Sequence, residues 1–440
     1  MTKQFDRTLF VGGLLVWVVG AILVLAAGQP LSHDEAAFAV GAQRILAGAP
    51  AVMLHRSVGT ELLAVPGVFL GGSEIALRST FVIVSLTVPL GAWALARAAF
   101  PTRNAGGLAI AILGCTHPML LQAGQVMSDL PATGLLLLGL ALVVRELSRD
   151  GGPRWSLAAA APLFATAFYL RYGSIPVIAA IAVAVPIVYA RPLLRSPVRA
   201  IVLVALVLAL MTPHLLYSLQ ETSSALGVLE ASAGSTRYPS LGEGLWPLVA
   251  SNPFTYYGFG AAPVMLVGVA TAWRTREGRC IAIAAIGTLL VLGIRSFPLP
   301  RYTFPWVALL VVAGAGWVAS AIDDRRRGLV VTVFVAAWVA TGTYVMVTAL
   351  HQHTTRMPPV ALAHDVAKDA AGRPCTLTSS RTTVLVYYSG CTSADWPDAD
   401  PSARNYLVPP TPEDATLAPP DVPDRRVTRM ASHPGVFIIE

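Results

Sequence analysis

Long apolar stretches with almost no charge dominate this chain of 440 residues. A run of about 18 or more such residues is long enough to cross a lipid bilayer as an α-helix. We count eleven, at residues 9–28, 76–98, 105–123, 130–146, 155–170, 174–190, 198–218, 254–273, 279–294, 303–321 and 328–349. The chain is therefore predicted to be an all-α polytopic membrane protein with about 11 transmembrane helices.

The composition agrees with a membrane protein and excludes other classes. Only 12% of the residues are charged, whereas a soluble domain carries about 25%. The apolar content of 55% excludes a disordered chain, and four cysteines are too few for a disulfide framework. The net charge of +7 does not indicate a nucleic-acid partner, because the basic residues lie in connections between apolar runs.

The basic residues also predict the direction of the chain, since cytoplasmic connections are enriched in Lys and Arg. Lys3 and Arg7 precede the first run, and every second connection after it is basic. We therefore expect a multi-pass protein of a bacterial plasma membrane with a cytoplasmic N-terminus. The first run is interpreted as an uncleaved anchor, with a cleaved signal peptide as the alternative.

This direction leaves three long segments on the outer side. Residues 29–75 and 219–253 are predicted outer loops of a transmembrane domain at 1–350, and residues 351–440 form an extracytoplasmic domain.

The outer tail has the pattern of a small α/β domain. A helical period covers residues 358–371, strand-like stretches cover 376–380 and 436–439, and 397–423 is a predicted loop rich in Pro and Asp. The outer compartment permits disulfides, and we predict one that joins Cys375 to Cys391.

The motif Ser32-His33-Asp34-Glu35 predicts the start of a helix in the first outer loop. Ser32 and Glu35 fit a capping box, which explains one carboxylate without any chemistry. Capping does not need Asp34, which is therefore the candidate general base for a hydroxyl nucleophile. Glu35 beside it is a second candidate, with a capping role as its alternative.

A second helix, lying in the membrane interface, is predicted around residues 62–70. Polar candidates flank this helix or occupy the ends of later spans: His55, Arg56, Glu61, Arg78, Asp129, Arg171, Tyr172, Arg295, Arg301 and Tyr302. Outer arginines run against the usual charge bias, so each needs a partner. That partner is either a phosphate of a lipid-linked ligand or an acidic side chain of the loops.

The order of these motifs is specific. An Asp-Glu pair follows the first span, then His-x-Ser-x-Gly-x-Glu-Leu-Leu at 55–63, Ala-Leu-Arg at 76–78, Ser-Asp-Leu-Pro at 128–131 and Arg-Tyr-x-x-Pro at 301–305. The pattern resembles the GT-C glycosyltransferases, in the branch of the protein O-mannosyltransferases and the lipid A aminoarabinose transferase. It departs from the latter because His55-Arg56-Ser57 stands in place of a Lys-Pro-Pro-like motif.

The resemblance implies that residues 1–350 are a catalytic domain. It would move a sugar, mannose-like or other, from a polyprenyl-monophosphate donor to a hydroxyl of a lipid, glycan or protein acceptor, with inversion, at the outer face. Asp34 would be the general base, with Glu35 and Asp129 as neighbouring acids. The donor phosphate would meet Arg295 and Arg301, with Arg56, Arg78 and Arg171 as further candidates. The acceptor side would include His55, Glu61, Tyr172 and Tyr302.

Two other functions stay open: a transporter or flippase of lipid-linked sugars, and a non-catalytic partner in cell-envelope assembly. A transporter is expected to carry charges near the bilayer midplane on broken helices, whereas the acids here lie at the outer ends of spans. No Cys/His metal motif is present, so no cofactor is assigned and a divalent metal is left open.

Overall fold

The computed structural model describes residues 3–49, 57–149, 154–235, 253–295, 299–379, 382–393, 403–409, 412, 420 and 425–439. Within this part of the chain we number seventeen α-helices in chain order: α1 (Lys3–Ala26), α2 (His33–Leu46), α3 (Val58–Phe69), α4 (Glu74–Ser85), α5 (Thr87–Ala99), α6 (Gly106–Leu113), α7 (His117–Ala123), α8 (Asp129–Leu147), α9 (Ala160–Leu170), α10 (Ser174–Arg195), α11 (Pro197–Thr222), α12 (Gly227–Ser235), α13 (Pro253–Thr271), α14 (Arg276–Arg295), α15 (Phe304–Ala321), α16 (Arg327–Ala370) and α17 (Thr382–Ser389). The chain is mostly helical, as predicted.

Eight helical segments in the described residues are long and apolar enough to cross a membrane. They are Lys3–Ala26, Glu74–Ala99, Asp129–Leu147, Ser174–Arg195, Pro197–Thr222, Arg276–Ile294, Pro300–Ala321 and Arg327–Ala370. The α6–α7 pair makes nine if the two helices, which bend by 80° at their junction, count as one broken span.

The predicted number of about 11 spans is therefore not confirmed. The run at 105–123 bends between α6 and α7, where Pro118 follows the break. The run at 155–170 forms a short apolar helix that stops before the Arg171–Gly173 turn. The run at 254–273 is interrupted at Gly258, whose φ of 79° is left-handed and ends regular helix. Apolar composition did not reveal these interruptions.

Helices α5 and α8 pack closely through small residues. A Cβ atom at Gly91 would lie 2.7 Å from the carbonyl oxygen of Gly134, so a larger residue would push the helices apart. Membrane helices commonly associate in this way, because lipid tails leave no hydrophobic force between helices and close van der Waals contact replaces it. This contact fixes α8, whose first residue is the candidate Asp129.

The chain divides into two compact units. The first comprises residues 1–26, 53–63 and 78–347, and the second comprises 27–52, 64–77 and 348–440. The helices predicted for the first outer loop are α2 and α3.

The second unit contains the predicted small sheet. Its strands are β1 (Cys375–Ser379), β2 (Thr392–Ser393), β3 (Arg404–Val408), β4 (Val427–Met430) and β5 (His433–Ile439), in the order β2-β1-β3-β5-β4. Strand β1 pairs in parallel with β2 and β3, while β5 is antiparallel to β3 and β4. Buried Leu362 and Val366 of α16 pack with Tyr406 and Ile438 of the sheet.

Two predictions for this domain had different outcomes. The disulfide between Cys375 and Cys391 is present and joins the start of β1 to the residue before β2. The loop predicted at 397–423 was wrong for Arg404–Val408, which forms β3 between β1 and β5. The surrounding Pro and Asp residues favour a loop, but pairing with strands that are distant in the sequence stabilises the extended conformation of β3.

Candidate functional site

The capping box predicted at the start of α2 is present. The backbone N–H of Glu35 donates to Ser32 Oγ at 3.4 Å, and the Ser32 N–H donates to Glu35 Oε2 at 2.9 Å. These bonds satisfy donors that every helix N-terminus leaves open. Asp34 lies in the same first turn, takes no part in the box, and has a partly exposed side chain.

Glu35 has another partner far away in the sequence. Arg356 Nη1 of α16 lies 3.1 Å from Glu35 Oε2 and also donates to the carbonyl oxygen of Pro30 at 3.2 Å. The Glu35 side chain is completely buried, and a buried carboxylate requires such charge pairing and hydrogen bonding. This geometry favours the structural role of Glu35, in which it anchors the start of α2 to α16.

Helix α17 also forms hydrogen bonds to the segment around Ser32 at the start of α2. Tyr388 Oη accepts from the Leu31 N–H at 2.9 Å and donates to Glu74 Oε1 at 2.8 Å. Thr383 Oγ1 lies 2.8 Å from His33 Nδ1 and donates to the His33 carbonyl oxygen at 3.1 Å. The backbone on both sides of Ser32 is thus fixed, which places Asp34 on a rigid element, as a precisely positioned base requires.

In the first unit, the candidates Asp129 and Arg171 form an ion pair. Asp129 is the first residue of α8 and is buried, while Arg171 follows the last residue of α9. The preceding Ser128 makes no side-chain capping hydrogen bond to α8. The Asp129 carboxylate is stabilised by the guanidinium and by the positive end of the α8 dipole.

The turn Pro300–Thr303 brings two further candidates to Arg171. The guanidinium carbon of Arg171 lies 4.6 Å from the centroid of the Tyr302 ring, and that of Arg301 lies 5.8 Å from the same centroid. Both distances are within the range of cation–π attraction. Two cations, one aromatic ring and one carboxylate from three separate parts of the sequence therefore form one cluster.

The start of α3 packs against the end of α9, next to Arg171. The hydroxyls of Ser57 and Thr60 both donate to the Leu170 carbonyl oxygen, at 2.5 and 2.9 Å. Glu61, which follows Thr60 in the first turn of α3, is buried. These bonds connect the His-x-Ser-x-Gly-x-Glu-Leu-Leu motif at residues 55–63 to the C-terminal end of α9, which Arg171 and Tyr172 follow.

Tyr172 lies in a buried aromatic cluster beside that ion pair. Burial raises the pKa of its hydroxyl above the ordinary value, and the nearby Glu61 carboxylate acts in the same direction. The hydroxyl lies 3.5 Å from Nδ1 of His214, and Phe168 packs against both rings. Tyr172 is therefore protonated at neutral pH and serves to hold the turn.

His214 was not among the site residues predicted from the sequence. It is buried in α11 directly after Pro213, in an otherwise apolar run. An ionisable residue inside a membrane helix is uncommon and often marks a functional region. The position of His214 within an apolar run was therefore the sequence signal that could have identified it. Its contact with Tyr172 depends on the packing of α11 on α9, which no local pattern predicts.

The remaining candidates fall into two groups. Arg78 is buried in α4. His55 and Arg56 lie outside the described residues, as does the side chain of Arg295, whose backbone ends α14. No group of three or more His, Cys, Asp or Glu side chains within the described residues is arranged to hold a metal ion.

Comparisons with known proteins agree with this architecture. The family model of the dolichyl-phosphate-mannose-protein mannosyltransferases matches residues 62–217. No curated protein sequence matches the chain.

Solved structures are similar over most of the chain. ArnT from Cupriavidus metallidurans, bound to undecaprenyl phosphate, superposes with a TM-score of 0.69 at 15% identity, covering 100% of this chain and 98% of that one. The oligosaccharyltransferase of Archaeoglobus fulgidus reaches 0.57 at 11% identity, covering 90% of this chain and 64% of that one. The chain therefore shares the fold of ArnT and of this oligosaccharyltransferase.

Proposed function

We propose that the protein transfers a sugar from a polyprenyl-monophosphate donor to a hydroxyl acceptor at the outer face of the membrane. The observation that carries this proposal is the cluster of Arg171, Arg301, Tyr302 and Asp129. Two guanidinium groups in one cluster are the side chains that proteins most often use for planar, bidentate recognition of phosphate.

The chemistry of such a donor requires positive charge close to its phosphate. Attack of the acceptor hydroxyl on the anomeric carbon breaks the bond to the phosphate oxygen, so a phosphodiester becomes a phosphomonoester. Negative charge grows on the leaving phosphate as this bond breaks. Guanidinium groups that are already positioned stabilise that charge without reorganisation, which is often the largest contribution to catalysis. The Tyr302 ring and Asp129 hold Arg171 in such a position.

Structures with the same fold support the class of donor. ArnT was solved with undecaprenyl phosphate, and AglB from Archaeoglobus fulgidus, with a TM-score of 0.54, was solved with an inhibitory peptide and a dolichol-phosphate. The matching family model describes mannosyltransferases that use dolichyl-phosphate-mannose. A mannose-like sugar is accordingly the first donor to test, with lipids, glycans and proteins as acceptor classes.

Asp34 is the proposed general base. It lies in the first turn of α2, where Glu35 and Ser32 provide the capping bonds. A carboxylate that removes the proton of the acceptor hydroxyl makes the oxygen a better nucleophile, and a single displacement inverts the anomeric centre. With the N-terminus in the cytoplasm, as the basic connections predict, Asp34 faces the outer side.

An assay of sugar transfer tests the proposal. The purified protein is incubated with labelled polyprenyl-phosphate mannose and with separated lipid, glycan and protein fractions of the cell envelope. We expect covalent label in one fraction and release of polyprenyl phosphate in equal amount. Movement of the intact donor across vesicle membranes, with no labelled acceptor from any of several donor sugars, would instead establish a flippase. Arg301→Gln, compared with the exposed Arg373→Gln, tests whether the cluster is used.

A further inference from the structure

A cavity of about 470 Å³ lies between the N-terminal end of α1 and the C-terminal end of α5. Lys3, Arg7 and Arg97 line it, so three cationic side chains from two helices face one space. Its volume is in the range of small-molecule binding sites. None of these residues belongs to the cluster around Tyr302, and the charge pattern of the sequence places them on the cytoplasmic side.

One acid accompanies the three cations. Asp6 lines the cavity but is buried, and its Oδ1 accepts a hydrogen bond of 2.6 Å from the backbone N–H of Gly107. Its charge offsets one of the three cations, which leaves two positive charges in excess. A ligand for this cavity is therefore an anion.

Aromatic side chains form another wall of the cavity. The guanidinium carbon of Arg97 lies 5.0 Å from the centroid of the Trp93 ring, and Phe10 meets that ring edge-on at 5.6 Å. Stacking on Trp93 limits the orientations of the Arg97 guanidinium, which is then already positioned to bind an anion. Tryptophan is also typical of the level at which lipid headgroups meet the hydrocarbon region.

An apolar track leads away from this cavity along α1. Val11 lines the cavity, and Val11, Leu15, Val19 and Ile22 are all exposed. Their spacings of four, four and three residues place them on one face of the helix. We propose that the cavity binds the phosphate headgroup of an anionic membrane lipid whose acyl chains lie along this track. A free phosphate would use the cations but not the track.

Native mass spectrometry of the purified protein with added phosphatidylglycerol tests the site. Substitution of Lys3→Ala, Arg7→Gln and Arg97→Gln together is expected to weaken binding about 100-fold, since each cation near a membrane surface contributes about fivefold. A matched variant with Arg191→Gln, Arg195→Gln and Arg325→Gln removes three exposed arginines elsewhere on the predicted cytoplasmic side and is expected to bind like the wild type. Arg97→Gln alone, with an expected fivefold loss, decides the case if the triple variant does not fold.

Three results would overturn the proposal. The first is wild-type affinity in the cavity variants. The second is equal binding of zwitterionic phosphatidylcholine, which carries the same phosphate but no net charge. The third is binding of glycerol 3-phosphate or inorganic phosphate as tight as that of phosphatidylglycerol, which would identify a site for a free anion. Sugar transfer is not the readout, so this test and that of the proposed function fail independently.

Discussion

The buried carboxylate of Glu35 and the partly exposed guanidinium of Arg356 form an ion pair with 3.1 Å between Oε2 and Nη1, although 321 residues separate them in the sequence. The same Glu35 oxygen accepts the Ser32 N–H, so one carboxylate completes the helix cap and binds α16. The two adjacent acids of the Asp-Glu motif are therefore in different environments. Glu35 is buried, and Asp34 is partly exposed.

The ion pair predicts a loss of stability when Arg356 is removed. Arg356→Ala removes a charged hydrogen-bond partner from the buried Glu35 carboxylate, which typically costs about 1–3 kcal/mol. We expect a clear decrease in the thermal unfolding temperature of the purified protein. Lys368→Ala removes an exposed cation from the same helix and is the control. Equal unfolding temperatures for the two variants would show that the pair contributes little.

Tyr302 predicts a distinction between two substitutions. Tyr302→Phe keeps the aromatic ring beneath Arg171, whereas Tyr302→Leu removes the cation–π attraction, which is worth about 0.5–2 kcal/mol. We expect near-normal donor affinity in the first variant and a loss of about 2- to 30-fold in the second. Binding of polyprenyl phosphate measures this, and similar affinities for the two variants would contradict a role of the ring.

Arg171→Lys tests whether geometry as well as charge is needed. Lysine keeps the positive charge but loses the planar group that pairs with a carboxylate and stacks on a ring. A loss of at least about tenfold in sugar transfer is expected, with most of it in turnover rather than in acceptor KM. Transfer at the wild-type rate would show that the charge alone suffices.

The disulfide of the second unit predicts sensitivity to reductant. Cys375 and Cys391 are 16 residues apart, and a loop of about 15 residues is worth about 3 kcal/mol in the chain-entropy model. Cys375→Ser with Cys391→Ser is expected to lower the stability of this unit, as followed by limited proteolysis. Cys115→Ala and Cys280→Ala, at the two buried free thiols, are expected not to alter the effect of reductant. A double variant as resistant to protease as the wild type would contradict this account.

Local patterns predicted much of this structure. The capping box at Ser32 and Glu35 depends on residues three apart, and the helices of the first outer loop follow from their own apolar residues. The disulfide was predicted because Cys375 and Cys391 both lie in the outer tail, in a compartment that permits disulfides. In each case the interacting groups are near one another in the sequence or few in number.

Long-range contacts account for what the sequence did not reveal. Arg356 is one of many arginines, and nothing near it indicates that it pairs with Glu35. The contact of His214 with Tyr172 depends on how two membrane helices pack. The break between α6 and α7 was missed because apolar composition measures length and not straightness.

The rate of sugar transfer by Asp34→Asn shows whether the Asp34 carboxylate is the general base. Asparagine has the shape of aspartate but cannot accept the proton of the acceptor hydroxyl, so sugar transfer should fall about 100-fold or more. The variant should keep the wild-type unfolding temperature and still bind polyprenyl phosphate. Glu230→Gln, at an exposed acid of α12, should transfer sugar like the wild type. Undiminished transfer by Asp34→Asn would contradict the assignment of Asp34 as the general base.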